Sequence, residues 1–161
     1  MIFRFAPNPG EPARPLARIA SGGELSRVAL AIKEVLAEVD ATPTLVFDEI
    51  DTGIGGRSAD PVGRSLWTLA RRHQVLCVTH LPQIAAHADS HFRISKRERD
   101  GRTVTEVERL GPDARLRELA LMLGGEGVEQ GPDRGAAALA GAEQLVAGAA
   151  AWRAATAGSP G

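Results

Sequence analysis

Aromatic residues and sulfur are scarce in this sequence. Of its 161 residues none is tyrosine, two are tryptophan, four are phenylalanine and one is cysteine. The lone Cys77 excludes an internal disulfide framework and suits a reducing compartment. It lies in the apolar run "VLCVT", which implies a buried structural thiol. So few aromatics leave no stacking platform for single-stranded nucleic acid. Trp67 falls on an expected helix among apolar partners, and Trp152 lies in the tail, where it can serve as an anchor. Strong charge of either sign is also missing. A net charge of −1 and a pI near 6.4 exclude a nucleic-acid binder that works by bulk charge alone. No apolar stretch reaches the length of a membrane span, and the start lacks the basic-then-apolar pattern of a signal peptide. The expectation is a soluble, intracellular chain with room for one domain and its own core.

What is present is an alternation of helix and strand patterns. Ile2-Phe3-Arg4-Phe5 reads as an opening strand, followed by a proline-rich connection. Nothing ahead of it can pair with it, so its neighbours are expected elsewhere. From Ser21 the pattern becomes helical: Leu25, Val28, Ala29, Ile32, Val35 and Leu36 recur at three- and four-residue spacing. Ser21 reads as the N-cap and Glu24 completes a capping-box pattern. The helix should stop near Asp40, ahead of Thr42-Pro43. Thr44–Phe47 is a short apolar run ending in Asp48-Glu49, and reads as a strand buried on both faces of a parallel sheet. After the glycine-rich "IDTGIGGRSAD" a helix is expected from Asp60 or Pro61 to His73, with Pro61 in its first turn. Gln74–Thr79 reads as a second buried strand ending at His80, with a short helix through Gln83–Ala86 after Pro82. "HFRISKRERDGRTVTEVERL" alternates on both sides of Asp100-Gly101, a hairpin signal. Leu116, Leu119, Ala120 and Leu123 give one more amphipathic helix, stopped by Gly124-Gly125. From 126 to 161 the chain is an Ala/Gly-rich tail, expected to be helical around Gly135–Ala155 and disordered at its end. The fold class is α/β, a mostly parallel sheet flanked by helices, plus a β-hairpin.

Three features carry chemistry in this order: Ser21-Gly22-Gly23-Glu24 at a helix start, Asp48-Glu49 after one buried strand, and His80 after the next. In open α/β sheets ligands gather outside the carboxyl ends of the strands, so Asp48, Glu49 and His80 share one edge if the strands are neighbours. Singly, each has a plain structural reading as cap, loop charge or hydrogen-bonder. Together they fit phosphoryl transfer. An Asp at a strand end can hold a magnesium ion through water beside nucleotide phosphates. The Glu after it can deprotonate an attacking water. A histidine can bond the γ-phosphate. Backbone N–H groups at a helix start, left bare by Gly22 and Gly23, can cradle phosphate oxygens.

"SGGELSR" resembles the signature motif of ABC-type ATPases, "TLVFDE" their Walker B strand, "IDTGI" the D-loop and "VTH" the switch-histidine strand. Within that superfamily "ASGGELSRVALAIK", "FDEIDTGIGGRSA", "QVLCVTHLPQIAA" and "ELALMLGG" resemble the C-terminal part of the RecN family, bacterial recombination and DNA-repair ATPases similar to the structural-maintenance-of-chromosomes (SMC) proteins. The family's phosphate loop, G-x-x-x-x-G-K-[ST], does not occur in this chain, nor do its glutamine loop and coiled coil.

The resemblance implies a half-head over residues 1–125, the C-terminal lobe of an ABC/SMC-type ATPase head. Glu49 is then the catalytic base, His80 contacts the γ-phosphate, and Asp48 positions magnesium through water. Ser21, Gly22, Gly23 and Glu24 meet ATP bound on the opposite head of a dimer, and Asp51 couples the two sites. Gln83 matches the family pattern without a chemical role. Implied partners are a missing N-terminal Walker A lobe, a second head across sandwiched ATP, and DNA through the full-length protein, with no membrane and a cytoplasmic, nucleoid-associated location. Alone, the chain is expected to bind ATP weakly and turn it over negligibly. The alternatives are a non-catalytic docking lobe and, disfavoured by "IDTGIGGRSA" after the acidic pair, a transporter nucleotide-binding fragment. Arg71-Arg72 at a helix end favour the dipole. The basic "SKRERDGR" hairpin, and Arg57 in the D-loop region, have solvation as their plainer reading.

Overall fold

The structure is a computed structural model, and it describes residues 4–6, 10, 12–15, 21–99, 101–124 and 132–157. Two compact units divide the chain, Met1–Thr79 and His80–Gly161.

In the first unit, β1 (Arg4–Phe5) pairs antiparallel with β2 (Arg14–Pro15), Arg4 opposite Pro15 and Phe5 opposite Arg14. The opening strand therefore finds its neighbour just downstream in the sequence, and the expectation that it lacks one is corrected. Ile2 and Phe3 lie outside the described residues. Helix α1 spans Gly22–Leu36. Strand β3 (Thr44–Phe47) runs parallel to β4 (Gln74–Cys77), with Thr44 opposite Gln74 and Phe47 opposite Cys77. Helix α2, Gly56–Ala70, is the crossover that parallel pairing requires. Two loop hydrogen bonds extend the ladder, Gln74 N to Pro43 O at 2.8 Å and Val78 N to Phe47 O at 3.0 Å.

Helix α2 starts four residues before Asp60, so Pro61 sits inside it rather than in its first turn. Gly55, in extended conformation, is the N-cap, and the glycines that read as a loop open the helix instead. Leu45, Phe47, Ile50, Ala59, Leu66 and Leu69 form the core, with Leu30 and Gly23 the buried residues of α1. Helix α1 lies on α2, and α2 on β4.

The expectation that the strands are buried on both faces is corrected. The strands are covered on one face only: Leu45 and Phe47 are buried, whereas Val46 is 68% exposed, Leu76 49% and Val78 55%. In α1 the spaced residues Leu25, Ile32, Val35 and Leu36 are exposed, joined by Val39 beyond the helix end. The cause is common to both. Among the described residues of the first unit no second layer covers the outer face of this two-stranded sheet, so apolar residues of period two or 3.6 face outward as well as inward. The end of α1 is fixed by Lys33 Nζ, which donates to Asp40 Oδ2 at 2.5 Å, while Asp40 Oδ1 accepts from the Thr42 hydroxyl and backbone N–H. Behind it, His73 Nδ1 donates to Thr42 O at 2.6 Å.

The second unit begins with α3 (Pro82–Ala85). β5 (Phe92–Arg99) and β6 (Arg102–Arg109) form the antiparallel hairpin, turning at Arg99 opposite Arg102 with Gly101 at φ 71°. Asp100 lies outside the described residues. Cross-strand pairs Arg93–Glu108 and Arg97–Glu106, at 2.7 and 3.1 Å, fit that register. Helix α4 spans Pro112–Gly124 and α5 spans Pro132–Ala157, covering the stretch expected to be helical; the end of the tail lies outside the described residues. Ala142 of α5 joins Ala85, Leu119 and Ala120 in a second core, with Met122, Ala138 and Val146 around it. Trp152 meets the buried His87 edge-on, ring centroids 5.7 Å apart.

Candidate functional site

The site is built on the first turn of α1 and the loop that leaves β3. Ser21, extended at φ −61° and ψ 159°, caps the helix. Its hydroxyl accepts from Glu24 N at 3.4 Å, and Glu24 Oε2 accepts from Ser21 N at 3.1 Å. Such a reciprocal box contributes about 1 kcal/mol and places a carboxylate at the positive end of the helix dipole.

One turn on, at positions sharing a face with the glycines, Ser26 and Arg27 reach across to the loop. Ser26 Oγ donates to Asp48 O at 2.8 Å. Arg27 Nη1 donates to Ile50 O at 3.1 Å and to Thr52 O at 2.8 Å. The two were not singled out from the sequence, although both stand inside "SGGELSR" four residues after the glycines. They hold the backbone of the acidic loop against the helix start.

This clamp explains the paired glycines. A Cβ at Gly23 would lie 2.6 Å from Thr52 O and 2.8 Å from Glu49 O. A Cβ at Gly22 would collide with Glu49 Oε2. The bare backbone accommodates the chain's own loop in this structure. Glu49 has φ 56°, the sole positive φ at a non-glycine among the described residues. A left-handed glutamate is strained, and such strain clusters at functional positions.

Asp48 and Glu49 are both exposed where β3 ends. Asp48 Oδ1 accepts from Glu49 N at 2.9 Å. Neither Asp48 Oδ2 nor the Glu49 carboxylate has a hydrogen-bond partner among the described residues. Asp51 differs: it is 4% exposed, and its Oδ2 accepts from the Thr79 hydroxyl at 2.6 Å, tying the loop to the end of β4. Burial, and then the charges of Asp51 and Asp48, push the Cys77 thiol up to about 12. Cys77 is half-buried, and a thiol raised in this way is scarcely ionised near neutral pH. His80 is exposed and is the first residue of the second unit, three positions past the end of β4. The first unit thus brings together Ser21, Gly22, Gly23, Glu24, Asp48, Glu49 and Asp51. Gln83, in the second unit, has a buried Oε1 without a partner among the described residues. The side chain of Arg57 lies outside what is described.

The site is a parallel βαβ unit whose first strand ends in two carboxylates, clasped by a capped Ser-Gly-Gly helix. No protein-family model matches the chain. Among curated proteins, it is 57% identical over 123 residues to the DNA repair protein RecN of Xylella fastidiosa (strain Temecula1), covering 76% of this chain and 22% of that protein. It is 50% identical over 148 residues to RecN of Deinococcus radiodurans, covering 92% of the chain and 25% of the relative. RecN of Mycobacterium leprae matches at 54% over 125 residues, 78% and 21% of the two chains. A solved chain from structural work on ATP-driven dimerization and DNA-stimulated activation of SMC ATPases aligns at TM-score 0.47 and 25% identity, over 65% of this chain and 62% of its own. The chain belongs to the RecN family as a segment, spanning 22% of the Xylella relative's length.

Proposed function

We propose that this chain is the second half of a DNA-repair ATPase head, completed by a lobe that carries the phosphate loop and active as a dimer of heads. What supports the reading is the clamp. Ser26 and Arg27 pin the loop backbone beside the signature turn, yet leave the Glu49 carboxylate without a hydrogen bond among the described residues. A base that must take a proton from water needs that combination of a fixed backbone and an uncommitted carboxylate. Glu49 is assigned as that base, with His80 as the contact to the γ-phosphate. Ser21, Gly22, Gly23 and Glu24 face the nucleotide of the opposite head, where first-turn N–H groups and the hydroxyl stabilise phosphate charge. Asp51, buried and bonded to Thr79, transmits loop position between the two sites.

The residues present fit a magnesium ion on limited terms. No group of three or more His, Cys, Asp or Glu able to hold a metal occurs among the described residues. Asp48, with one oxygen uncommitted at an exposed strand end, suits an ion held mainly by phosphate oxygens and water, as magnesium prefers. Bound there, the ion would neutralise developing phosphate charge. No helix of the described residues is long and apolar enough to cross a membrane.

The test mixes the chain with a separately made lobe bearing the phosphate loop and follows ATP turnover. Turnover is expected in the mixture and not in either part. Glu49→Gln should lower it by about 100-fold or more. A stable complex without turnover would replace this reading with a docking lobe.

A further inference from the structure

The second unit contains an open pocket of about 510 Å³ where the loop before β5, the end of β6, α4 and α5 meet. None of the residues in the ATPase-like motifs contributes to it. Its polar lining includes Ser90, His91, Arg109 and Arg115, and Leu116 and Val146 supply part of an apolar wall.

Its charges are unbalanced. Arg109 Nη2 donates to Ser90 Oγ at 3.0 Å, and Arg115 Nη2 donates to Ala85 O at 3.2 Å and Ala86 O at 2.9 Å. Neither guanidinium has a carboxylate partner among the described residues. The nearby carboxylates are already engaged: Asp89, itself on the pocket wall, with Arg153 at 3.1 Å and Glu118 with Arg93 at 3.6 Å. Arg115 Nε and His91 Nδ1 are shut off from water without a hydrogen-bond partner. Buried donors are normally satisfied, and a half-buried cation is normally paired. Burial, then the charge of Arg153, holds the Arg115 guanidinium below its ordinary pKa, with the Asp89 carboxylate opposing the shift only in part.

We propose that this pocket binds the phosphate group of a small phosphomonoester. Arg109 and Arg115 supply charge and N–H donors from two elements, Ser90 and His91 add two more polar groups, and Leu116 and Val146 face the organic part. Donors from several directions suit the three terminal oxygens of a phosphomonoester better than the two of a carboxylate or a phosphodiester. The volume falls within the range usual for small-ligand sites. This site is independent of the ATPase reading and stands or falls without it.

The experiment follows the Arg115 Nε–H and His91 ring resonances of the full chain by NMR during titration with inorganic phosphate and with glycerol 3-phosphate. Both should give saturable shifts at millimolar concentration, whereas acetate and chloride at equal ionic strength should not. Arg109→Gln, which removes one partly solvated donor, should weaken binding about tenfold with the backbone amide spectrum otherwise unchanged. Arg109→Gln with undiminished affinity, no saturation by phosphate, or equal shifts with acetate or chloride would overturn the site. Displacement of phosphate by an oligonucleotide without terminal phosphates would overturn its assignment to a monoester.

Discussion

Replacing Gly23 by alanine tests the clamp at its tightest point. Gly23 is the second residue of α1, where a glycine-to-alanine change ordinarily stabilises by at most about 1 kcal/mol through helix propensity. Here the new methyl would sit 2.6 Å from Thr52 O, 2.8 Å from Glu49 O and 2.9 Å from Thr52 Cβ. Two of these atoms are backbone, and Arg27 and Ser26 hold that loop through three hydrogen bonds. The loop cannot retreat without breaking them. Overpacking against a fixed wall costs roughly 1–3 kcal/mol, which exceeds the propensity gain. At Gly22 the obstacle is instead the end of the Glu49 side chain, which can rotate away. Gly23→Ala should therefore lower stability by roughly 1–2 kcal/mol, and Gly22→Ala should change it by less than about 0.5 kcal/mol. Urea unfolding followed through Trp67 in a Trp152→Phe background reports the first unit by itself. A lower midpoint at unchanged slope is expected for Gly23→Ala alone. A Gly23→Ala midpoint at or above that of the parent would refute the clamp.

Two further outcomes follow from ionisable groups. The Asp40 carboxyl is held well below the usual carboxylate range by hydrogen bonds from the Lys33 ammonium, then from the Thr42 hydroxyl and backbone N–H. A depressed folded pKa gives stability that is complete above the unfolded value and lost as pH falls through the folded one. Asp40→Asn should therefore flatten the decline in stability below about pH 4, measured by urea midpoints across an acid series. Cys77, with its thiol pushed up to about 12, should resist iodoacetamide at mildly alkaline pH until the first unit is unfolded. Rapid labelling of the native chain would contradict its burial.

Local signals in the sequence carried most of the element positions. The Ser21–Glu24 box, the Asp100-Gly101 turn and the apolar runs before Asp48 and His80 are each specified by a few neighbouring residues. Features set by distant contacts were hidden. "IDTGIGG" reads as flexible loop, yet Gly55 is a helix N-cap and the chain is helical from Gly56, since tertiary packing overrides a weak glycine penalty. Val46, Leu76 and Val35 are apolar at the right spacing, but spacing does not say which layer covers them. The glycines at 22 and 23 announced a close approach without naming what approaches. Residues 49 and 52, a strand and a turn away, are visible only in the folded chain. Thr79 likewise gave no sign that it would hold Asp51.

The left-handed backbone at Glu49 sets two selections against each other. Glycine or asparagine would sit there more comfortably, and either would delete the long carboxylate. A library sorted for folding alone would therefore drift away from glutamate at this position, and, under the function proposed above, one sorted for turnover in the completed head would return to it.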